Sequence, residues 1–246
     1  MNVNAREALI YLLERQPEAV RLPVQARSRT LSQQEAIGSP KRRDYPLLQG
    51  REILLQAEVD GYAGQAFTAD PIDFTGTIQS ILDLPAERPG QEALVVATLN
   101  ALARSMGLVE GTVHCRDEEP ETCAERISQH ILERHGNCRL GIVGYQPAII
   151  EHCVRRLGSG QVKVSDLNPD NIGQFKYGVE IWDGMTENPR LIEISDVLLI
   201  TGSVMSNGSG EALLELLEDK PFYLFGTSAS ALAWLNSWPR LCFCSK

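Results

Sequence analysis

Apolar positions near the start of the chain recur at helical spacing. Ala5, Ala8, Leu9, Leu12 and Leu13 fall on one stripe between residues 3 and 15, which predicts an amphipathic helix closed by Pro17. Residues 24–30 alternate loosely and are expected to form a strand. Ile53–Val59 and Tyr62–Thr68 flank Asp60-Gly61, a two-residue turn suited to the positive φ of a tight hairpin. Three antiparallel strands (24–30, 53–59 and 62–68) should therefore precede a helical stretch. Its clearest helix is 92–106, rich in Leu, Val and Ala and stopped by Gly107. Residues 111–115 read as a short strand. A helix then opens at Pro120 behind acidic Asp117, Glu118 and Glu119, with Cys123, Ile127 and Ile131 every four residues, and ends at Gly136.

From Arg139 the pattern changes. Continuous apolar runs at 140–145, 162–165, 196–201 and 222–225 alternate with helical segments at 147–157, 211–218 and 230–235. Strands with few polar residues, separated by helices, predict a parallel sheet covered on both faces. The expected fold class is α/β: a Rossmann-like domain over 137–246, preceded by a smaller α+β domain over 1–136.

Composition narrows the function. The chain of 246 residues is 43% hydrophobic and 22% charged, ordinary for a globular protein, and its net charge of −9 disfavours a phosphate backbone as partner. No apolar run reaches the length of a membrane span, and the first residues lack a signal-peptide layout, so a cytoplasmic location is expected. Six cysteines would then be thiols, used for packing, metal binding or reactivity. Cys138 and Cys153 read as packing. The basic run Lys41, Arg42 and Arg43, in a Gly- and Pro-rich loop, reads as solvated surface.

In open parallel sheets, ligands sit at the carboxyl ends of strands. Gly144-Tyr145-Gln146-Pro147 follows the first such strand but lacks the three-glycine dinucleotide fingerprint, which disfavours NAD. Asp166 ends the second, where a carboxylate can receive ribose hydroxyls or simply serve a turn. The loop from Thr201 through Gly202, Ser203, Asn207, Gly208 and Ser209 is rich in small hydroxyl and Gly residues and leads into a helix. That makes it a candidate anion-binding concavity or a well-capped loop. Gly226-Thr227-Ser228 would lie beside it. His114, Cys115 and Cys123 could supply soft metal ligands, although neighbours on a strand converge only where the strand has ended. Cys242 and Cys244 could face one way from an extended tail. The order and spacing show no Ser-His-Asp triad, no triphosphate loop and no paired catalytic carboxylates.

Several strings together carry a resemblance: Gly64-Gln-Ala-Phe-Thr68, Leu99-Asn-Ala101, 112–120, Gly144-Tyr-Gln-Pro147, Asp166-Leu-Asn168 with Asn171-Ile-Gly173, and Thr201-Gly202 with Asn207-Gly208. Over roughly residues 35–244 the chain resembles a family of uncharacterised proteins associated with heavy-metal chelation. In that family an enolase N-terminal-like domain precedes a Rossmann-like one. The resemblance implies a three-stranded meander with helices in the first half, and a binding cleft between the domains for a metal or metal complex. Ser203-Val204-Met205 departs from the pair of threonines expected there, which removes a hydroxyl contact at position 204.

The expected function is binding of a metal ion or a metal–organic or anionic small ligand in that cleft. Asp166, Asn171, Gly144, Gln146, Thr227, Ser228 and the 201–209 loop would hold the organic or anionic part. Phe67, Thr68 and Asp70 would close it from the other side, and His114, Cys115 and Cys123 would ligate metal. The alternative is an enzyme using a nucleotide-, S-adenosylmethionine- or pterin-like ligand, with the thiols structural. Expected partners are small molecules or metals, with neither nucleic acid nor membrane; a homodimer is left open.

Overall fold

The computed structural model describes residues 3–26, 31–50, 52–85 and 87–246. Helix α1 (Ala5–Arg15) begins at Asn4, whose side chain accepts from the Glu7 N–H while Glu7 accepts from the Asn4 N–H. Its predicted stripe is the buried face. Strand β1 (Pro23–Ala26) is shorter than expected, and 27–30 lie outside the described residues. Two short helices follow, α2 (Gln33–Ala36) and α3 (Pro46–Gln49). The hairpin of β2 (Ile53–Val59) and β3 (Tyr62–Thr68) turns at Asp60 and Gly61, with φ of 50° and 77°.

The first sheet is antiparallel in the order β3-β2-β1-β4. Its fourth strand, β4 (Phe74–Thr77), extends the expected three-stranded meander. Phe-Thr-Gly-Thr shows no clean alternation because its positions are half-buried or exposed on both faces. The sheet is covered by α4 (Ile78–Leu82) and chiefly by α5 (Pro89–Ser105). A Cβ at Gly64 would stand 2.3 Å from both Ala97 O and Ala101 N, so glycine lets β3 approach this helix closely.

The predicted strand at 111–115 joins no sheet. Gln65 N–H donates to Thr112 O at 3.0 Å, and Val113 exchanges backbone hydrogen bonds of 2.7 and 2.9 Å with Lys246. The segment's backbone is thus satisfied partly by Gln65 of β3 and partly by the returning C-terminal tail.

The second sheet follows α6 (Glu119–His135) and runs β5 (Leu140–Val143), α7 (Pro147–Leu157), β6 (Val162–Asp166), β7 (Phe175–Lys176), β8 (Val179–Asp183), α8 (Gly184–Ile194), β9 (Val197–Thr201), α9 (Gly210–Glu215), β10 (Phe222–Phe225) and α10 (Ser230–Leu235). The strand order is β10-β9-β5-β6-β8-β7, parallel except for the edge strand β7. Along β9, Val197 and Leu199 enter the core under α6 and α7, while Leu198 and Ile200 enter that under α8 and α9. Burial on both faces is why these strands read as unbroken apolar runs.

The chain crosses between the halves more than the sequence break at 136–139 suggests. Cys123, Ile127 and Ile131 of α6, with Ile37, Tyr45 and Leu47, share the core of the second sheet, and Ala231 and Leu232 of α10 share that of the first.

Candidate functional site

The parallel strands β5, β6 and β8 run to one side of the second sheet, and β9 and β10 to the other. The order therefore reverses between β5 and β9, where an open α/β sheet leaves a crevice at its carboxyl end. A cavity of about 100 Å³ opens there. Gly144 and Thr201 flank the reversal, and Gln146, Asp166, Ser203 and Gly226 continue its wall. Phe67, His114 and Cys115 close it from the first half, and Cys123 of α6 lines it too.

The approach at the reversal is tight. Gly144 has a φ of 100°, and a Cβ there would lie 2.4 Å from Thr201 Cγ2. Asp166 ties the neighbouring loops together: it accepts from Tyr145 N–H at 2.7 Å, Asn168 N–H at 2.7 Å and Asn171 Nδ2 at 3.2 Å. Gln146 caps α7, its Oε1 accepting from Ile149 N–H at 2.7 Å.

Other expected site residues lie outside the cavity lining. Ser228 and Ser206 grip the end of β3: Phe67 N–H donates to Ser228 Oγ at 3.0 Å, and Ser206 Oγ donates to Phe67 O at 2.7 Å. The two small-residue loops thus receive a strand from the other half. Gly202 lets them touch, since a Cβ there would meet Ala229 N at 2.7 Å. Asn207, Gly208 and Ser209 form an outer turn in which Asn207 Oδ1 takes the Ser209 N–H at 3.0 Å. Thr227 is wholly buried with its hydroxyl unpartnered among the described residues. Thr68 caps Asp70 N–H at 3.1 Å, and Asp70 pairs with Arg88 at the start of α5.

Two features were not legible in the sequence. Glu52 lines the cavity although it is far from Asp166 in the chain; burial and then the charge of Asp166 raise its carboxyl to about 7. Spacing shows no paired catalytic carboxylates; the fold brings Glu52 and Asp166, one from each half, to the lining of the same cavity. Arg42, read as surface, instead pairs with Glu121 of α6 and Glu151 of α7, and donates to Tyr177 Oη at 2.8 Å. Only 15% of its side chain is exposed, because the 38–50 loop folds down against α6.

Burial lowers the affinity of His114 for a proton, and its Nδ1 faces Ala36 O at 3.3 Å. Burial also raises the Cys115 thiol. All six cysteines are free. Among the described residues, no three of His, Cys, Asp and Glu converge as a metal-holding group. No described helix is long and apolar enough to cross a membrane.

Residues 127–239 match the DUF364 family, whose description is "Putative heavy-metal chelation". A protein of unknown function from that family in Pyrococcus horikoshii superposes with a TM-score of 0.56 at 13% identity, covering 92% of this chain and 78% of its own. Another, from Desulfitobacterium hafniense DCB-2, gives 0.50 at 14% identity, with 74% and 71% covered. No curated protein matches the chain. The family resemblance is borne out over residues 127–239, and the structural likeness shows a shared α/β fold. Glu52, Phe67, His114, Cys115, Cys123 and Cys242 all lie outside the matched stretch.

Proposed function

We propose that the protein binds a metal ion, or a small metal–organic complex, in the cavity between its two halves. Glu52 and Asp166 carry this reading: one carboxylate from each half faces a single cavity at the strand-order reversal. Two like charges in a confined space disfavour each other's ionisation, and a cation between them reverses that cost. The family description points to the same chemistry.

The protein supplies part of a coordination shell, since no three candidate ligands converge among the described residues. The bound metal would keep donors of its own, with the Thr201 and Ser203 hydroxyls beside its organic ligand and Phe67 as an apolar wall. His114 and Cys115 offer nitrogen and sulfur from the first half. A nucleotide- or pterin-like ligand is less favoured: organic cofactor pockets span roughly 300–1,000 Å³, against about 100 Å³ here.

Calorimetric titration with Ni(II) and Zn(II), each alone and with glycine as co-ligand, tests the proposal. Binding weakened at least tenfold in Glu52→Gln and in Asp166→Asn is expected. Unchanged affinity in both variants, or no binding by the unaltered protein, overturns it. Stabilisation by a nucleotide, S-adenosylmethionine or a pterin that chelator leaves unaffected would favour the enzymatic alternative.

A further inference from the structure

One stretch of the cavity wall is held in place differently from the rest. Tyr45, Pro46 and Leu47 line the cavity from the loop over 38–50. Among the described residues, no backbone–backbone hydrogen bond joins 39–50 to another part of the chain; those it makes are internal, such as Leu48 N–H to Tyr45 O at 2.9 Å. Two of its N–H groups go instead to carboxylates just before α6. Ser39 N–H donates to Asp117 Oδ1 at 2.9 Å, and Lys41 N–H to Glu118 Oε1 at 2.8 Å. A glycine with left-handed backbone stands at each end, Gly38 with a φ of 72° and Gly50 with a φ of 69°. Nothing lies within 4 Å of a Cβ built at Gly50, so that end has room to turn.

Side chains fasten the loop to the second half. Arg42 reaches Glu121 of α6 and Glu151 of α7, and donates to Tyr177 Oη at 2.8 Å. Tyr177, in the turn between β7 and β8, donates in turn to Asp44, and Tyr45 Oη donates to Glu121 at 3.0 Å. Charged and hydroxyl groups of this kind can exchange their partners for water without disturbing either sheet.

We propose that residues 38–50 form a lid, hinged at Gly38 and Gly50 and latched by Arg42, that opens to admit ligand to the cavity. This rests on the cavity being the binding site and adds how that site is reached. Hinges are a few loop residues that absorb a change in φ and ψ, and segments that gate a site come from the less stable end of a fold. The chain is fixed on both sides of the lid: Ile37 O accepts from Asp117 N–H at 2.7 Å before the first glycine, and β2 begins at Ile53 after the second. Glu52 lies beyond the Gly50 hinge, so the lid moves without carrying the cavity carboxylate away. Burial of Tyr45 and Leu47 in the core of the second sheet favours the closed state, and the Arg42 latch adds to it.

Cys115 reports on the lid because it is buried and lines the cavity, whereas Cys138 and Cys153 are buried outside the lining and serve as references. The reduced, metal-free full chain is treated with N-ethylmaleimide over a series of low urea concentrations, and each cysteine is followed by peptide mass spectrometry. Cys115 is expected to react faster than Cys138 and Cys153, at a rate that hardly changes with urea, since local opening exposes little surface. Arg42→Ala should speed Cys115 by about tenfold or more, and Tyr177→Phe by a smaller factor. Circular dichroism checks folding, and Tyr177→Phe carries the test should Arg42→Ala fail to fold. Reaction of Cys115 only at the pace of Cys138 and Cys153, with the same steep urea dependence, overturns the lid, because the cavity would then open only by global unfolding. Fast reaction that neither variant alters overturns it as well, because the cavity would then be open with the latch closed. The assay contains no metal, so its outcome is independent of the Ni(II) and Zn(II) titrations and the two proposals fail separately.

Discussion

Phe67 of β3 donates its backbone N–H to the hydroxyl of Ser228, 3.0 Å away on the loop after β10, so the first half is pinned to the second beside the cavity wall. Ser206 completes the grip from the neighbouring loop by donating to Phe67 O. Asn100 of α5 extends it, donating to Gln65 O at 3.1 Å and Thr227 O at 3.0 Å and accepting from Ala231 N–H at 2.9 Å. An unmade buried hydrogen bond costs about 1–3 kcal/mol. Ser228→Ala should lower urea stability by that amount. Because Phe67 would lose its anchor, the affinity for Ni(II) with glycine should fall as well. An unchanged unfolding midpoint would show that the halves are held together elsewhere.

Glu52 gives a pH signature opposite to that of an ordinary ion-paired carboxylate. Its folded pKa, raised to about 7 first by burial and then by Asp166, exceeds the unfolded value. The favourable contribution is thus complete below the unfolded pKa and disappears as pH rises through about 7. In metal-free protein, Glu52→Gln should be stabilising at pH 8 by about 1–2 kcal/mol, after discounting the full linkage value for the side chain's partial exposure, and near neutral at pH 5. Thermal melts at the two pH values check this, and equal effects at both would place Glu52 in ordinary solvation.

The sheet architecture was legible because strands such as β9 are buried on both faces, and the hairpin because Asp60-Gly61 supplies the required positive φ. Strand β8 and helix α8 escaped notice: exposed Glu180 interrupts the one, and Pro189 stands inside the other. At the site, Gly144, Asp166 and Thr201, read from strand ends, all line the cavity. Glu52 had no local signal. Its place on the same cavity as Asp166 depends on how the halves dock, and no periodicity brings together residues so far apart in the chain. Ser228 and Ser206 look like ligand-loop residues in the sequence for the same reason they suit docking: small hydroxyl side chains can accept from or donate to any close backbone, whether of a ligand or of β3.

Arg42 was misread because a basic run says nothing of which residue turns inward. Its guanidinium reaches Glu121 and Glu151 on two helices. Burial raises the Glu121 carboxyl, but hydrogen bonds from Arg42 and His152 outweigh it and leave the group below its usual range. A depressed carboxylate contributes stability above its unfolded pKa and loses it as pH falls through the folded value. Arg42→Ala should therefore cost about 2–4 kcal/mol at pH 7, somewhat under the roughly 3–5 kcal/mol for breaking a fully buried pair, and much less at pH 3. Denaturant titration at both values measures it, and a cost independent of pH would assign the effect to packing.

Gly144 offers the sharpest test of the strand-order reversal itself. Its φ of 100° disfavours any L side chain, and a Cβ would press into Thr201, the first residue of the neighbouring loop on the cavity. Gly144→Ala should destabilise the protein by about 2–3 kcal/mol, combining backbone strain with the clash. Thr201→Ser removes the Cγ2 that the new methyl would strike while keeping the hydroxyl that faces Ser203 at 3.0 Å. In the double variant only the Cγ2 part of the steric cost should be recovered, because the Thr201 Cβ that serine keeps would still stand 2.8 Å from the new methyl, and the backbone part should persist, leaving a residual loss of about 1–3 kcal/mol. Strict additivity of the two single changes would mean that β5 and β9 do not approach here as closely as the geometry requires.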